Sequence, residues 1–368
     1  PEQQLGAVVV TDTATPSYKA EKASSPKLSQ PLVDTPRSVV VIPKAVIEDR
    51  GAVSLRDVLK NVSGISLNAG EGGFGAGDNL TMRGFSARTD IFIDGVRDIG
   101  SYSRDPFNLE SVEVVKGPSS ALTGRGGSGG TINLSSKLPT REDFMLGSTS
   151  VGTDNLVRQT FDINQTLNDT TALRLNLLGH QSDAAGRDLV ENNRWGFAPS
   201  IAFGQGTDTR ANLSFLYLKQ NDVPDYGIPY ANGRPAKVDR SNFYGLEGDY
   251  NDSEASIATL QIEKDLSATN TLRNTTRYGK TTIDQQTYSA NNANVAADSF
   301  RRNLRSRDEE NEVLSNQTDL TSRFKTGKLE HTLVSGVEVV RETFSNLARA
   351  IPTQANTTSL ENPNPNDP

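Results

Sequence analysis

From residue 144 onward the chain alternates apolar and polar side chains in about nine long stretches, and the gaps between them are by turns short and long. The stretches are 144–151, 156–167, 172–182, 194–203, 210–219, 255–266, 271–282, 312–324 and 329–344. In the clearest, Trp195, Phe197, Pro199, Ile201 and Phe203 fall on one face, with Arg194, Gly196, Ala198, Ser200, Ala202 and Gly204 on the other. Successive side chains of a strand point to opposite faces, so this is a strand with one apolar side. In 156–167, Val157, Phe161, Ile163 and Leu167 oppose Arg158, Thr160, Asp162 and Asn164. A soluble sandwich shows the same alternation, so the connections must discriminate. Turns at Asn168-Asp169, Gly206-Thr207, Ala268-Thr269 and Thr326-Gly327 are short, whereas 183–193, 220–254, 283–310 and the chain from Ser345 onward are long. Only 152–155 is short where a long connection is expected. Short turns on one side and long loops on the other are the signature of an antiparallel transmembrane β-barrel, whose strands need only about 9–11 residues to cross.

Composition removes several function classes. The formal net charge is -7, so an overall basic footprint for nucleic acid is absent. There is no Cys, which excludes disulfides, thiolate metal sites and Cys nucleophiles. The two histidines, His180 and His331, lie in strand-like stretches and read as ordinary strand positions, so neither a metal site nor a catalytic set is expected. The longest obvious apolar cluster, Val39 to Ile42, has four residues, far short of the roughly 20 that a membrane helix needs.

Three segments follow. Residues 1–35 are rich in Ser, Pro, Thr and Lys and read as flexible, apart from a β-prone island, Ala7, Val8, Val9, Val10 and Thr11. That island suits a strand added to a partner's sheet edge or the first strand of the domain itself; the residues leave both open. Residues 36–140 read as a compact α+β unit. Strands are expected at 37–42, 79–83, 91–93, 111–115 and 131–135, with a tight turn at Asp94-Gly95. Ser54 is placed to cap a helix whose Leu55, Val58, Leu59 and Val62 share a face, with Asp57 at the capping-box position and Gly64 at its stop. A second helical turn is expected at Gly117-Pro118, with Pro at its first position. Residues 141–368 hold the barrel strands and their extracellular loops.

The glycine-rich run from Gly117 to Gly130 invites a phosphate-loop reading, but Arg125-Gly126 follows Gly124 where such a loop requires Lys-Ser/Thr. Tight turns and close backbone packing account for it better. Val112-Glu113-Val114-Val115-Lys116-Gly117-Pro118-Ser119-Ser120-Ala121-Leu122-Thr123-Gly124, followed by Gly129-Gly130-Thr131-Ile132-Asn133, resembles the plug signature of TonB-dependent receptors. So do Leu80-Thr81-Met82-Arg83-Gly84-Phe85, Ile93-Asp94-Gly95 and Ser63-Gly64-Ile65, in the family's order. The resemblance spans residues 7 to about 140 and extends to the barrel only by pattern. Lys116 stands where the family commonly has Arg, and Thr123 where Tyr is common. An ammonium cannot replace a guanidinium fork, which limits what carries over to Lys116. Asp222-Val223-Pro224-Asp225-Tyr226-Gly227-Ile228-Pro229 and Arg104-Asp105-Pro106-Phe107-Asn108-Leu109-Glu110 look most like the catecholate-siderophore receptors of that family.

The resemblance implies an α+β plug domain followed by an antiparallel barrel that is incomplete in this chain, since plugged transporters close with about 22 strands. It implies residence in a Gram-negative bacterial outer membrane, contact with its lipid, a monomer, and no nucleic-acid partner. Energy-coupled import of a ferric siderophore would be driven through TonB, with no covalent chemistry and no cofactor, iron entering only inside its chelate. Residues Ala7, Val8, Val9, Val10 and Thr11 would then contact TonB, and Arg83 and Lys116 would hold the plug to barrel carboxylates. A ferric tris-catecholate is a large anion with aromatic faces, suited to arginine and aromatic side chains. Phe74, Arg88, Tyr102 and Arg104 of the plug, with Tyr226 and Tyr230 of a loop, are the candidates for its site. The rival readings are an importer of another chelate, sugar or cobalamin, a receptor that also signals to a transcription regulator, and a soluble β-rich hydrolase. The last would need a convergent acid, base or nucleophile set, and no such motif occurs.

Overall fold

The computed structural model describes residues 18–25, 27–28, 30–68, 77–124, 127–347 and 357–367. The β-branched run β1 (Ser38–Pro43) opens the plug and leads directly into a short helix, α1 (Lys44–Asp49), which the sequence reading did not foresee. Helix α2 (Leu55–Leu59) begins as expected: Ser54 Oγ accepts from the Asp57 N–H at 3.1 Å, and Asp57 Oδ2 accepts from the Val53 N–H at 3.3 Å. Leu55, Val58, Leu59 and Val62 are all buried. Gly64 then takes φ +81°, a left-handed turn that favours glycine. The rest of the plug comprises β2 (Ile65–Leu67), β3 (Leu80–Met82), β4 (Phe85–Ser86), β5 (Ile91–Ile93), β6 (Val96–Arg97), β7 (Leu109–Lys116), α3 (Ser120–Thr123) and β8 (Gly130–Ser136). Pro118 lies outside α3, whose N-cap is Ser119, so the expected Pro-first helix starts later than the sequence suggested.

The main plug sheet has the order β1-β7-β8-β5-β6, with β5 and β8 parallel and the other pairs antiparallel. A smaller sheet runs β2-β3-β4. Between sheets and helices lies a core of Ile42, Leu55, Leu59, Leu80, Ile91, Val112, Val114, Ile132 and Leu134. Ile257, from the surrounding wall, belongs to that same core.

The wall is one antiparallel sheet: β9 (Phe144–Val151), β10 (Val157–Asn168), β11 (Thr171–Asp183), β12 (Glu191–Phe203), β13 (Thr209–Val223), β16 (Tyr250–Ser267), β17 (Asn270–Asn294), β18 (Ser299–Thr326) and β19 (Leu329–Leu347), each paired with the next. A small hairpin, β14 (Tyr230–Ala231) and β15 (Arg234–Pro235), sits in the loop after β13, and β20 (Thr357–Thr358) adds to β18. Among the described residues the path is open, with β9 and β19 at its two ends. The expected loop at 283–310 is a correction: β17 and β18 continue paired through it as far as Asn294 and Ser299. At 28 residues β18 would extend about 90 Å, well beyond a bilayer even when tilted.

The wall is inverted relative to a soluble sheet. On β12 Gly196, Ala198, Ser200 and Ala202 are buried on the inner face, while Trp195 and Phe203 are exposed. Trp195 and Tyr217 lie 5.1 Å apart, Phe197 and Phe215 5.9 Å, on the outer side. Inward positions are polar, including Asn164, Arg174, Asn176, Gln220, Thr259, Arg277, Ser315 and Gln317. No helix among the described residues is long and apolar enough to cross a membrane, which leaves crossing to the strands.

Candidate functional site: the seated plug and its lumen

The chain leaves the plug sheet after β6 and returns at β7, so its middle is a loop held against the wall. Phe107 and Tyr102 pack there on Leu178, Ala198, Leu218 and Ala255. Arg104, one of the candidates for the chelate site, is only 4% exposed. Its Nε donates to Asp98 Oδ2 at 3.0 Å and its Nη1 to Asp78 Oδ2 at 3.0 Å. Nη2 donates to Asp98 Oδ2 at 2.8 Å and to the Gly100 carbonyl at 3.0 Å. The guanidinium also lies 4.4 Å from the Tyr102 ring centroid, and the Tyr102 hydroxyl donates to Asp98 Oδ2 at 2.9 Å. Burial raises the Asp78 carboxyl despite Arg104, and burial with the neighbouring Asp98 raises the Tyr102 hydroxyl well above its usual range. Arg104 therefore braces the loop from within, because a desolvated guanidinium is stable only when paired and hydrogen-bonded.

Asp105, next to Arg104 in sequence, pairs instead with arginines of the wall. Arg158 of β10 donates through Nη1 at 2.8 Å and Nη2 at 2.7 Å, and Arg194 of β12 donates through Nε at 2.7 Å. Burial alone would raise the Asp105 carboxyl, but the guanidiniums of Arg194 and Arg158 outweigh it and hold it below the usual range. Asp105 is thus a plug carboxylate gripped by two wall arginines. Further ionic contacts tie plug to wall. Lys44 and Lys137 both lie 3.2 Å from Asp162 of β10, which also takes Arg174. On the far side, Arg277 of β17 donates to the Ile93 carbonyl at 2.5 Å and lies 3.4 Å from Asp94.

The other candidate residues are dispersed. Arg88 is half-buried and donates to Ser101 Oγ at 2.5 Å, so it joins Tyr102 and Arg104 around one loop. Tyr226 is half-buried in the connection after β13, and Tyr230 is 68% exposed at the start of β14. Arg83 is exposed with φ +50°, and Lys116 Nζ donates to Ser63 Oγ at 2.8 Å. Among the described residues neither is ion-paired. Phe74 and the five residues Ala7, Val8, Val9, Val10 and Thr11 lie outside the described residues. Sequence reading missed Asp105, Arg158, Asp162, Arg194 and Arg277 as tethers. A signal for them existed, since Arg158, Asp162 and Arg194 are charges on the polar face of otherwise amphipathic strands.

Residues 31–131 match the family model of the TonB-dependent receptor plug domain. A plug of that family seated on an inward-polar, outward-apolar sheet defines the class: the chain is the plug and part of the outer-membrane barrel of a TonB-dependent receptor. It is 42% identical to the catecholate siderophore receptor Fiu of Escherichia coli strain K12, over 92% of this chain and 48% of Fiu. With the probable TonB-dependent siderophore receptor PiuA of Acinetobacter baumannii it shares 39% identity over 92% of this chain and 47% of PiuA. The solved closed form of the ferric-catecholate import receptor Fiu superposes with a TM-score of 0.89, covering 95% of this chain and 52% of that one. The chain spans about half the length of the curated relatives it matches, 48% and 47% for these two.

Proposed function

We propose that the whole receptor imports a ferric siderophore of the catecholate kind across the outer membrane, energised by TonB. The observation that carries this reading is the plug itself. It is seated against the inner face of the wall by ionic and hydrogen-bonded contacts at Asp105, Asp162 and Arg277, beside local apolar packing of Tyr102, Phe107 and Ile257. A polar lumen closed by such a domain suits a solute too large for an open channel, released when the plug is pulled. The protein performs no covalent chemistry and carries no resident cofactor; iron passes only as its chelate. It works as a monomer in lipid, with TonB as its protein partner and no nucleic acid involved. Import of another chelate or vitamin is the second reading; in the loop motif Asp225 is engaged by Arg187 at 2.7 Å, so the motif shapes the loop.

Growth of an iron-starved receptor knockout on a panel of ferric chelates, with and without the full-length gene, tests the cargo. Catecholate complexes should support growth only with the gene. Growth on none of them, with rescue by a different nutrient, would transfer the reading to that nutrient. Val9→Pro, by removing a ladder donor from the proposed TonB-contacting segment, should abolish uptake while chelate binding stays intact.

A further inference from the structure

A strap of chain, residues 18–25 with 27 and 28, precedes β1 and lies on the plug. The Tyr18 hydroxyl donates to Asp49 Oδ2 at the end of α1, and the Leu32 N–H donates to the Glu21 carbonyl at 2.9 Å. Between these points the strap meets the face of the main plug sheet that is turned away from the core. Val112 and Val114 of β7 belong to that core, so Glu113 between them projects from the opposite face. Its carboxylate is 1% exposed, and a charge so buried requires donors. The Ser24 N–H donates to Oε1, and Asn133 Nδ2, opposite on β8, donates to Oε2 at 3.4 Å. Asn133 Nδ2 also donates to Ser24 Oγ at 3.3 Å, and Ser24 Oγ lies 2.6 Å from Ser135 Oγ. Glu113 and its neighbours on β8 therefore hold the strap at one point, Ser24.

Just beyond that point, half-buried Ser25, Lys27 and Leu28 line a cavity shared with the plug and the wall. Phe92, Glu113 and Asn133 border it from the plug sheet, and Arg273, Thr275 and Gln317 from β17 and β18. Its volume is about 60 Å³, far below the roughly 300–1,000 Å³ of sites that hold a drug-sized molecule. No chelate passes here while the strap is seated. The two sides of the gap differ in what holds them. The plug sheet carries the apolar core, and no described residue of 18–28 belongs to it. Withdrawing the strap exchanges a few hydrogen bonds for bonds to water, whereas unfolding the sheet would also expose the core. The proposed TonB-contacting residues 7–11 precede the strap, so a pull on them reaches Ser24 before it reaches the sheet.

We propose that the strap around Ser24, Ser25, Lys27 and Leu28 is a removable wedge between plug sheet and wall. Glu113 is the positioning residue that seats it, and its withdrawal opens the chelate's route along β17 and β18 while the plug core stays folded. This rests on the importer reading and specifies where its cargo passes the plug.

The test uses the full-length receptor in cells, with uptake of iron(III) tris-catecholate as the assay. Ser24→Cys combined with Ser135→Cys puts thiols where two hydroxyls lie 2.6 Å apart, close enough to bond. Closed by a mild oxidant, this variant should bind the chelate as it does when reduced but lose import, and reduction should return import. The same block would follow if the plug had to unfold from its N-terminal side, so single cysteines separate the two. Thr275→Cys, in the cavity, should react with a maleimide in the periplasm only during import, and Val112→Cys, in the plug core, should stay protected throughout. In the purified receptor, Glu113→Ala should speed exchange of the Ser24 amide by about tenfold or more and leave the β7–β8 ladder protected. Glu113→Gln keeps an acceptor and should restore the protection of Ser24. Import through the closed disulfide overturns the proposal, as does equal labelling of Thr275→Cys and Val112→Cys during import. Unchanged exchange at Ser24 in Glu113→Ala removes the seating role. A wild-type receptor that imports no ferric chelate overturns the importer reading itself, and the proposal with it.

Discussion

Asp105 shows how much one side chain can hold. Its carboxylate is buried between Arg158 and Arg194, and Oδ1 also accepts from the Phe107 N–H at 3.0 Å. Asp105→Ala would leave two nearly buried guanidiniums without a counter-charge, a change that costs about 3–5 kcal/mol. Thermal unfolding of the full-length receptor should fall by several degrees, and hydrogen exchange should rise first in the 98–108 loop; unchanged exchange there would remove the tether role. A second residue supplies a pH signature. Asp249 is buried, and desolvation pushes its carboxyl up from 3.8 to about 6. A carboxyl whose folded pKa exceeds its unfolded value contributes most to stability below the unfolded value, and that contribution is lost as pH rises through about 6. Asp249→Asn keeps an acceptor for the Tyr288 N–H and removes the ionisation. At pH 7.5 the variant should be the more stable by about 2–3 kcal/mol, with no advantage near pH 3.5. Calorimetry at both values decides it. The same scale explains why the partners of Arg104 were not legible in the sequence. Asp78 and Asp98 converge on it only through the loop's return path, and nothing in the spacing of the three residues announces that.

Among elements, the wall strands were legible because half of each strand faces lipid and half faces a polar lumen, which imposes strict alternation. All nine expected stretches correspond to strands β9–β13 and β16–β19. The reading failed where that constraint ends. Beyond the bilayer both faces of β17 and β18 meet water or other loops, so Thr281-Thr282-Ile283-Asp284-Gln285-Gln286-Thr287-Tyr288-Ser289 loses its apolar period and looks like a loop while remaining paired. Helix α1 escaped for a different reason: with six residues it is too short to show a helical period. The plug hairpin β5–β6 was legible from Asp94-Gly95, but its anchorage was not. Arg277 of β17 reaches the Ile93 carbonyl, and its Nε donates to Thr259 Oγ1 at 2.8 Å, so a wall strand holds the turn of a plug hairpin. Arg277→Met keeps most of the volume and removes every donor. Exchange of the amides at 91–97 should accelerate by about tenfold or more, the effect of about 1.4 kcal/mol of lost local stability, while the β16–β17 ladder stays protected. Equal acceleration of both segments would mean that the side chain supports the wall instead.

At the scale of the whole molecule, the sheet's two faces carry opposite chemistry, and the solvent on each side follows from that. Arg174, Asn176, Thr259, Thr275 and Arg277 are buried on the side toward the plug. Leu173, Leu213, Leu260, Ile262, Tyr278 and Leu314 are exposed on the other. In water such an outer face would be a large apolar patch of the kind that drives association; in lipid it is the required surface. The open path between β9 and β19 fits the same view, since unpaired strand edges cannot face hydrocarbon and more strands are needed to close the ring. A charge placed on the outer face therefore measures which solvent is there. Leu260 pairs across to Leu213, and both project outward, eight residues from the short turn at Ala268-Thr269. That places Leu260 near the middle of the hydrocarbon layer. Leu260→Arg in the full-length receptor should destabilise the lipid-embedded barrel by about 2–4 kcal/mol, the cost for arginine near the midplane. Lys264→Arg, on the same face beside the turn and already bonded to Asp208 at 2.5 Å, should change it by less than about 1 kcal/mol. Reversible unfolding in vesicles reads both. Equal, small effects would place the outer face of β16 against water, and the sheet would then have to be a soluble one.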